Sequence, residues 1–318
     1  MNTGRRLYRQ ISVVALVAGG VALSGCGAMQ PSSDGAKNQT GTNTTIQAVA
    51  AENAYGNVLA QIGGQYVNVT PIMVNPNIDP HSYEASTKDA AFVGGAALVV
   101  QNGLGYDGFM NKLEGATPSA GRTVIDVAAA LGYGANTRNP HLWYNPATMP
   151  KVANLFAQTL SRIEPAQAAY FHANLQRFDH SLRAWEAQIA RLKRLQSGAP
   201  VAVTEPIGDY LLQAAGLTNQ TPWSFQAAVM NGVDPSPQTV QQEENLLIHH
   251  QVKTLLYNRQ AVDSVTTTLL QLAMTRHIPV VGLYETMPPT LTYQTWMEAE
   301  TRALLAALQN GTSTETIA

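Results

Sequence analysis

The sequence predicts an α/β protein of two lobes, each a parallel sheet covered by helices, joined by one long helix. Short β-rich runs alternate with helical segments in both halves of the chain, and glycines mark the connections. One helical stretch runs unbroken between the halves. The 318 residues are enough for two ordinary domains with substantial cores.

Residues 1–26 are predicted to be a lipoprotein signal peptide. Arg5, Arg6 and Arg9 precede an apolar run at 11–23, which is too short to span a bilayer as a mature helix. The run closes on Leu23-Ser24-Gly25-Cys26, which resembles the lipobox of bacterial lipoproteins, where the cysteine becomes the lipidated first residue. The alternative is an ordinary cleaved signal. Because Cys26 is the only cysteine, internal disulfides and thiolate metal sites are excluded.

Residues 27–45 are rich in Gly, Ser, Thr and Asn and offer almost nothing to bury, so they are predicted to be a flexible tether. The formal charge of the chain is −2, and it becomes −5 without the three signal arginines. This balance argues against a nucleic-acid partner, which requires a basic face. We expect an extracytoplasmic protein held by its lipid at the outer face of the membrane, or a periplasmic one.

The N-terminal lobe is predicted at 46–163. Strands are expected at 46–50, 67–74, 96–102 and 123–128, with a first helix at 52–62 that ends at Gly63-Gly64. Ligands of parallel sheets collect beyond the carboxyl ends of the strands. His81 follows the 67–74 run and His141 follows the 123–128 run. Each comes directly after a proline, so each imidazole is presented in a fixed direction.

A long helix is predicted at 164–197. Large apolar residues alternate at spacings of four and three and therefore share one helix face; they are Phe171, Leu175, Phe178, Leu182, Trp185, Ile189 and Leu192. At about 1.5 Å per residue the helix is roughly 45–50 Å long. Such a helix either dimerises as a coiled coil or lies along two lobes as a spine. The spine is favoured, because sustained coiled coils carry more charged pairing positions.

The C-terminal lobe is predicted at 198–310, with a tail at 311–318. Strands are expected at 199–204, 252–257 and 278–284, and a helix at 207–217. Glu205 and Glu285 each follow an apolar strand directly. A carboxylate in that position needs a partner or water. The alternative to a ligand role is a salt bridge across the cleft.

Several motifs together resemble the zinc and manganese solute-binding proteins of bacterial ABC importers, solute-binding protein family 9. They are Ala51-Glu52-Asn53-Ala54-Tyr55-Gly56, Gly63-Gly64, Asp79-Pro80-His81-Ser82-Tyr83-Glu84, Asn102-Gly103-Leu104-Gly105 and Pro140-His141-Leu142-Trp143. The resemblance implies the cluster A-I fold, a metal site shared by the two lobes, and partners in an ABC permease and its ATPase. A monomer is expected.

Two departures from the family pattern concern the metal. Asparagine stands at Asn139 and Asn145, where the family often has aspartate. The stretch 131–138 lacks the His- and acid-rich loop that many zinc-dedicated members carry before the second Pro-His motif.

The predicted metal ligands are His81, His141, Glu205 and Glu285. Two neutral imidazoles and two carboxylates form a neutral complex with a divalent cation, which suits a cleft of lowered dielectric. Imidazole argues against a pure calcium or magnesium site, and the absence of thiolate argues against copper(I). Manganese, zinc and iron(II) remain. The carboxylates and the missing His-rich loop favour manganese, whereas affinity at a given site favours zinc. Candidates to orient the ligands are Asp79, Glu84, Asn145 and Asn258.

Two other classes of protein remain as alternatives. A metallohydrolase would need an open coordination position and a nearby general base, and the chain has neither a His-Glu-x-x-His run nor a Gly-x-Ser-x-Gly elbow. A binding protein is therefore predicted rather than an enzyme. A surface lipoprotein that acts in cell adhesion is the other alternative, since the family resemblance reaches proteins described as adhesins. An adhesin would not require four convergent metal ligands.

Overall fold

The structure is a computed structural model that describes residues 45–134 and 136–317. The predicted signal peptide, its lipidation site at Cys26 and almost all of the predicted tether lie outside the described residues. Within the described part, no helix has the length and apolar character needed to cross a membrane.

The first sheet has four parallel strands, as predicted, and their order is β2-β1-β3-β4. Its strands are β1 (Ile46–Glu52), β2 (Val67–Met73), β3 (Leu98–Gln101) and β4 (Thr123–Asp126). The last strand is shorter than the predicted 123–128, because the side chain of Asp126 accepts a hydrogen bond from Ala129 N (2.8 Å) and so begins a helix. The helices of this lobe are α1 (Asn53–Gly63), α2 (Thr87–Gly95), α3 (Phe109–Ala116), α4 (Val127–Ala130) and α5 (Thr148–Ile163).

The linking segment forms two helices, α6 (Ala168–Ser181) and α7 (Arg183–Gln196), after a 3₁₀ turn at Pro165–Gln167. Leu182 between them keeps right-handed helical torsions, and Glu186 N donates to its carbonyl at 3.0 Å, so the helical path is nearly continuous. Six of the seven predicted stripe residues are buried and Leu175 is half-buried. The stripe packs on the chain itself, α6 against α1 and α5 and α7 against α12 (Tyr293–Asn310), as a spine would.

The second sheet also has four parallel strands, in the order β6-β5-β7-β8. They are β5 (Pro200–Val203), β6 (Thr218–Asn219), β7 (Leu255–Asn258) and β8 (Val280–Leu283). The two-residue β6 was not predicted. The predicted helix at 207–217 begins as a 3₁₀ turn at Pro206–Gly208 and continues as α8 (Asp209–Ala214), and the remaining helices before α12 are α9 (Trp223–Met230), α10 (Pro237–Ile248) and α11 (Ser264–Thr275). The predicted class of two parallel-sheet lobes joined by a helical spine is confirmed.

Candidate metal site

Both histidines are held by the same local turn. The side chain of Asp79 accepts a hydrogen bond from His81 N (2.8 Å), and the side chain of Asn139 accepts one from His141 N (3.0 Å). Each turn is therefore an Asx-Pro-His unit, in which a short polar side chain closes the turn across the proline. Proline fixes its own φ and restricts the residue before it, so the backbone turn that carries each histidine is set before any ligand arrives.

The two glutamates come from the carboxyl ends of strands in the second sheet. Glu205 follows β5 by two residues and Glu285 follows β8 by two residues. Both side chains are fully buried. Strand β8 is buried along its length and β5 is buried from Val201 to Val203, so each strand delivers a carboxylate into the space between the sheets.

The four side chains converge on one point. One nitrogen or oxygen of each residue lies within 4.8 Å of the corresponding atom of every other. His81 Nε2 lies 3.3 Å from Glu205 Oε1 and 3.3 Å from Glu285 Oε2. His141 Nε2 lies 3.1 Å from Glu285 Oε2 and 3.7 Å from Glu205 Oε1. Among the described residues this is the only cluster of its kind.

Two of the converging atoms lack a hydrogen-bond partner and are better placed to bind a cation than to bind each other. His81 Nε2 and Glu205 Oε1 are buried, and neither has a hydrogen-bond partner among the described residues, although they lie 3.3 Å apart. The two atoms are close enough for a hydrogen bond but are not aligned to form one. Buried polar atoms without partners are costly, and a divalent ion between them would satisfy both.

The cluster is electrostatically coupled. Burial lowers the pKa of His81, but the carboxylates of Glu205 and Glu285 raise it more, to about 11. Burial and the neighbouring Glu285 raise the pKa of Glu205. Burial also disfavours the anion of Glu285, yet hydrogen bonds and charge from the two imidazoles hold the pKa of Glu285 well below its usual range. Near neutral pH the cluster therefore carries a proton on His81.

Asn258, one of the four predicted orienting residues, contacts the cluster directly. Its Nδ2 donates to Glu205 Oε2 and, at 2.7 Å, to Glu285 Oε1. Asp79 acts on His81 through the backbone rather than the ring. The structure shows no contact of Glu84 or Asn145 with the four predicted ligands: Glu84 is exposed, and Asn145 Nδ2 donates to Tyr133 OH (3.2 Å).

Three positioning residues were not predicted. Asn139 Oδ1 lies 2.8 Å from His141 Nδ1, Tyr106 OH donates to Glu285 Oε2 (2.8 Å), and Gln260 Oε1 accepts from Glu285 N (2.7 Å). The first could have been found by comparing the two Asx-Pro-His motifs. Tyr106 gave no signal, because one aromatic residue in a glycine-rich loop is typical of core packing as well.

The fold and the site together define a two-lobed α/β binding protein whose candidate site receives two histidines from one lobe and two glutamates from the other. Within that class, the chain belongs to the family described as zinc-uptake complex component A, periplasmic, whose profile matches residues 48–307. The predicted family is confirmed, and it is a family of binding proteins rather than enzymes.

Three relatives illustrate the similarity. The manganese-binding lipoprotein MntA of Bacillus subtilis is 31% identical over 186 residues, which cover 55% of this chain and 56% of the relative. The match thus spans little more than half the length of that relative. The periplasmic zinc binding protein TroA from Treponema pallidum superposes with a TM-score of 0.71 at 16% identity, over 83% of this chain and 99% of that structure. A Mn-bound periplasmic metal binding protein from Candidatus Liberibacter asiaticus gives 0.68 at 17% identity, over 83% and 100%. At these identities the two structures establish the fold.

Proposed function

We propose that this protein is the extracytoplasmic solute-binding component of an ABC importer and that it captures one divalent transition metal between its lobes. The observation that carries the proposal is the convergence of His81, His141, Glu205 and Glu285, two from each lobe, on a buried point. The metal is cargo, and its ligands are the four atoms that approach one another there. Binding from both lobes supplies a means of clamping them together.

The ligand set supports manganese or zinc, and iron(II) also fits. Two carboxylates favour the harder manganese ion, whereas zinc binds more tightly to most sites of mixed imidazole and carboxylate. The names of the relatives also include both metals, since one is a manganese-binding and another a zinc-binding protein. We propose manganese as the preferred cargo on the ligand chemistry.

The proposed partners are an ABC permease and its ATPase, with the protein acting as a monomer. Cys26 is proposed to carry the lipid anchor that holds the protein at the outer face of the cell membrane, and residues 27–45 to act as the tether. The description of the Bacillus subtilis relative as a lipoprotein supports this arrangement.

The decisive experiment is a competitive titration of the metal-free protein, residues 27–318, with manganese, zinc and iron(II), read by native mass spectrometry. Close to one metal per chain is expected. His141→Ala should abolish tight binding, because His141 is fully buried and no other described imidazole replaces it. Glu205→Ala should weaken binding strongly.

His249→Ala is the matched control, since His249 is exposed at the end of α10 and outside the cluster. It should keep the metal content of the wild type. If His141→Ala and Glu205→Ala also keep it, the proposed site is wrong.

A further inference from the structure

The residues that follow α12 return to the second sheet. Thr314 forms a parallel β-bridge with Val281. The N–H of Thr314 donates to Val280 O at 2.8 Å, and the carbonyl of Thr314 accepts from Gly282 N at 2.8 Å. Residues 312–317, which we call the tail strand, therefore extend the sheet beyond β8, and α12 is the crossover of a β-α-β unit.

Gly282 is the residue of β8 that admits the tail strand. A Cβ at position 282 would lie 2.0 Å from Glu315 O and 2.7 Å from Glu315 C. These atoms belong to the backbone, so they cannot move aside as the end of a flexible side chain can. Glycine inside a strand often marks such a close approach of another backbone. The sequence of β8 is thus matched to the tail strand, which lies beyond residues 48–307 of the family match.

The tail strand and α12 together serve the outer side of β8. Because β8 ends the order β6-β5-β7-β8, its neighbour β7 pairs with only one of its sides. On the other side, three alternate N–H groups find these acceptors: Ser313 Oγ for Val280 N (3.1 Å), Thr314 O for Gly282 N (2.8 Å) and Glu300 Oε1 for Tyr284 N (3.2 Å). The next residue is Glu285. The chain is therefore held on both sides up to the carboxylate that enters the metal cluster.

Ile317 anchors the far end of the tail strand. Its side chain is half-buried against the hydrophobic core that includes Leu283 and Tyr284. Main-chain hydrogen bonds at one end and an apolar contact at the other thus hold the tail strand along β8. Without the tail strand, β8 would present unpaired main-chain groups at the edge of the sheet.

We infer that the tail strand is a positioning element of the metal site, because it fixes the outer side of β8 and thereby the position of Glu285. The inference rests on the proposed function, in which Glu285 is a ligand. Groups that orient a metal ligand typically contribute tenfold to a hundredfold in affinity. A tail strand that only closed the edge of the sheet would add to the free energy of unfolding and leave the dissociation constant of the metal unchanged.

Calorimetric titration of two variants with Mn²⁺ tests the inference. Gly282→Ala displaces the tail strand through the close approach to Glu315, and Thr314→Pro removes the N–H that donates to Val280 O. Each variant should bind Mn²⁺ about tenfold more weakly than the wild type. The double variant should lose no more affinity than either single variant, because both changes remove the same support.

Gly121→Ala is the matched control, since a Cβ at this exposed position meets no atom within 4 Å. It should keep the affinity of the wild type. Hydrogen exchange of the metal-free protein shows where each variant acts. Gly282→Ala should speed exchange at 280–288 and leave the loop at 77–84, which carries His81, unchanged.

The outcomes separate the two claims. A wild type that binds Mn²⁺, together with single variants within twofold of its affinity, overturns the positioning role and leaves the metal site intact. Losses that add in the double variant, or faster exchange in the loops of all four candidate ligands, also overturn it. If Gly282→Ala does not fold, Thr314→Pro alone decides. A wild type that binds no Mn²⁺ overturns the metal site and the positioning role with it.

Discussion

Asn258 shows how a single amide makes two buried carboxylates compatible. Burial, and after it the repulsion of the nearby Glu285, raise the pKa of Glu205. The Nδ2 group of Asn258 donates to both, which places positive partial charge between them. The amide orients the two carboxylates toward the imidazoles without adding a formal charge that would repel a cation.

Asn258→Ala should therefore weaken metal binding by about tenfold to a hundredfold, the usual effect of removing a group that orients a ligand. The reason is that both carboxylates lose their common donor and repel each other more freely. Isothermal titration calorimetry with manganese measures the effect. Asn68→Ala, at an exposed position on β2, is the control. An affinity within twofold of wild type would show that Asn258 does not orient the ligands.

The protonation of His81 predicts a proton released on metal binding. The pKa of His81 is about 11, so the ring is cationic at pH 7 and must lose its proton before Nε2 can bind a metal. Affinity should rise with pH between about 6 and 8, by about tenfold per pH unit. Calorimetry in buffers of different ionisation enthalpy should count about one proton released. A binding enthalpy that is the same in all buffers would contradict this.

The raised pKa of His81 also makes the stability of the metal-free protein depend on pH. Because the folded-state pKa of His81 lies above its ordinary value of 6.5, the stabilisation by its carboxylate partners is full below about pH 6.5. It is lost as the pH rises through about 11.

The candidate site was predictable at the residue level where a side chain follows a strand or a proline. His81 and His141 stand after prolines and Glu205 and Glu285 after apolar strands, and these positions share one edge of each sheet. The ligand role itself remains a prediction. Contacts made by long side chains from other loops, such as those of Tyr106 and Gln260, depend on how the two lobes pack, which a local pattern does not encode.

At the scale of elements, the buried face of the spine follows from its periodicity. The spacing of four and three determines which face is buried, and α12 buries that face along α7, where Trp185 Nε1 donates to Thr301 Oγ1 (2.9 Å). Ends of elements were less predictable. Strand β4 stops at Asp126 because that side chain caps the following helix, a contact that competes with strand extension.

The spine allows a matched pair of stability variants on one helix. Leu192 is 0% exposed and Leu195 is 43% exposed. Leu192→Ala should lower the free energy of unfolding by about 2–5 kcal/mol, since it opens a cavity in the core. Leu195→Ala should change it by less than about 0.5 kcal/mol. Urea denaturation followed by circular dichroism measures both, and equal effects would mean that the stripe is not the packed face.

At the scale of the whole molecule, the lobes are joined by much more than the cluster. Asn53 exchanges two hydrogen bonds with the backbone of Met287, at 2.7 and 2.9 Å. Tyr144 OH donates to Tyr284 O at 2.7 Å, and Tyr210 OH donates to Asn139 O at 2.8 Å. These contacts and the packed spine oppose a wide separation of the lobes, so any opening that admits the metal should be small and confined to the loops around the cluster.

Metal binding should therefore slow hydrogen exchange in both lobes at once, with little change in overall dimensions. The expected segments are the loops that carry the four candidate ligands, around 77–84, 138–146, 204–210 and 284–288, because one ion would tie all four together. Binding to the folded state alone also stabilises it, by about 4 kcal/mol at a thousandfold excess over the dissociation constant. Hydrogen-exchange mass spectrometry measures the protection of these loops, and small-angle scattering measures the overall dimensions. His249→Ala should repeat the wild-type pattern and His141→Ala should lose it. Protection confined to one lobe, or none, would show that the metal does not clamp the two lobes.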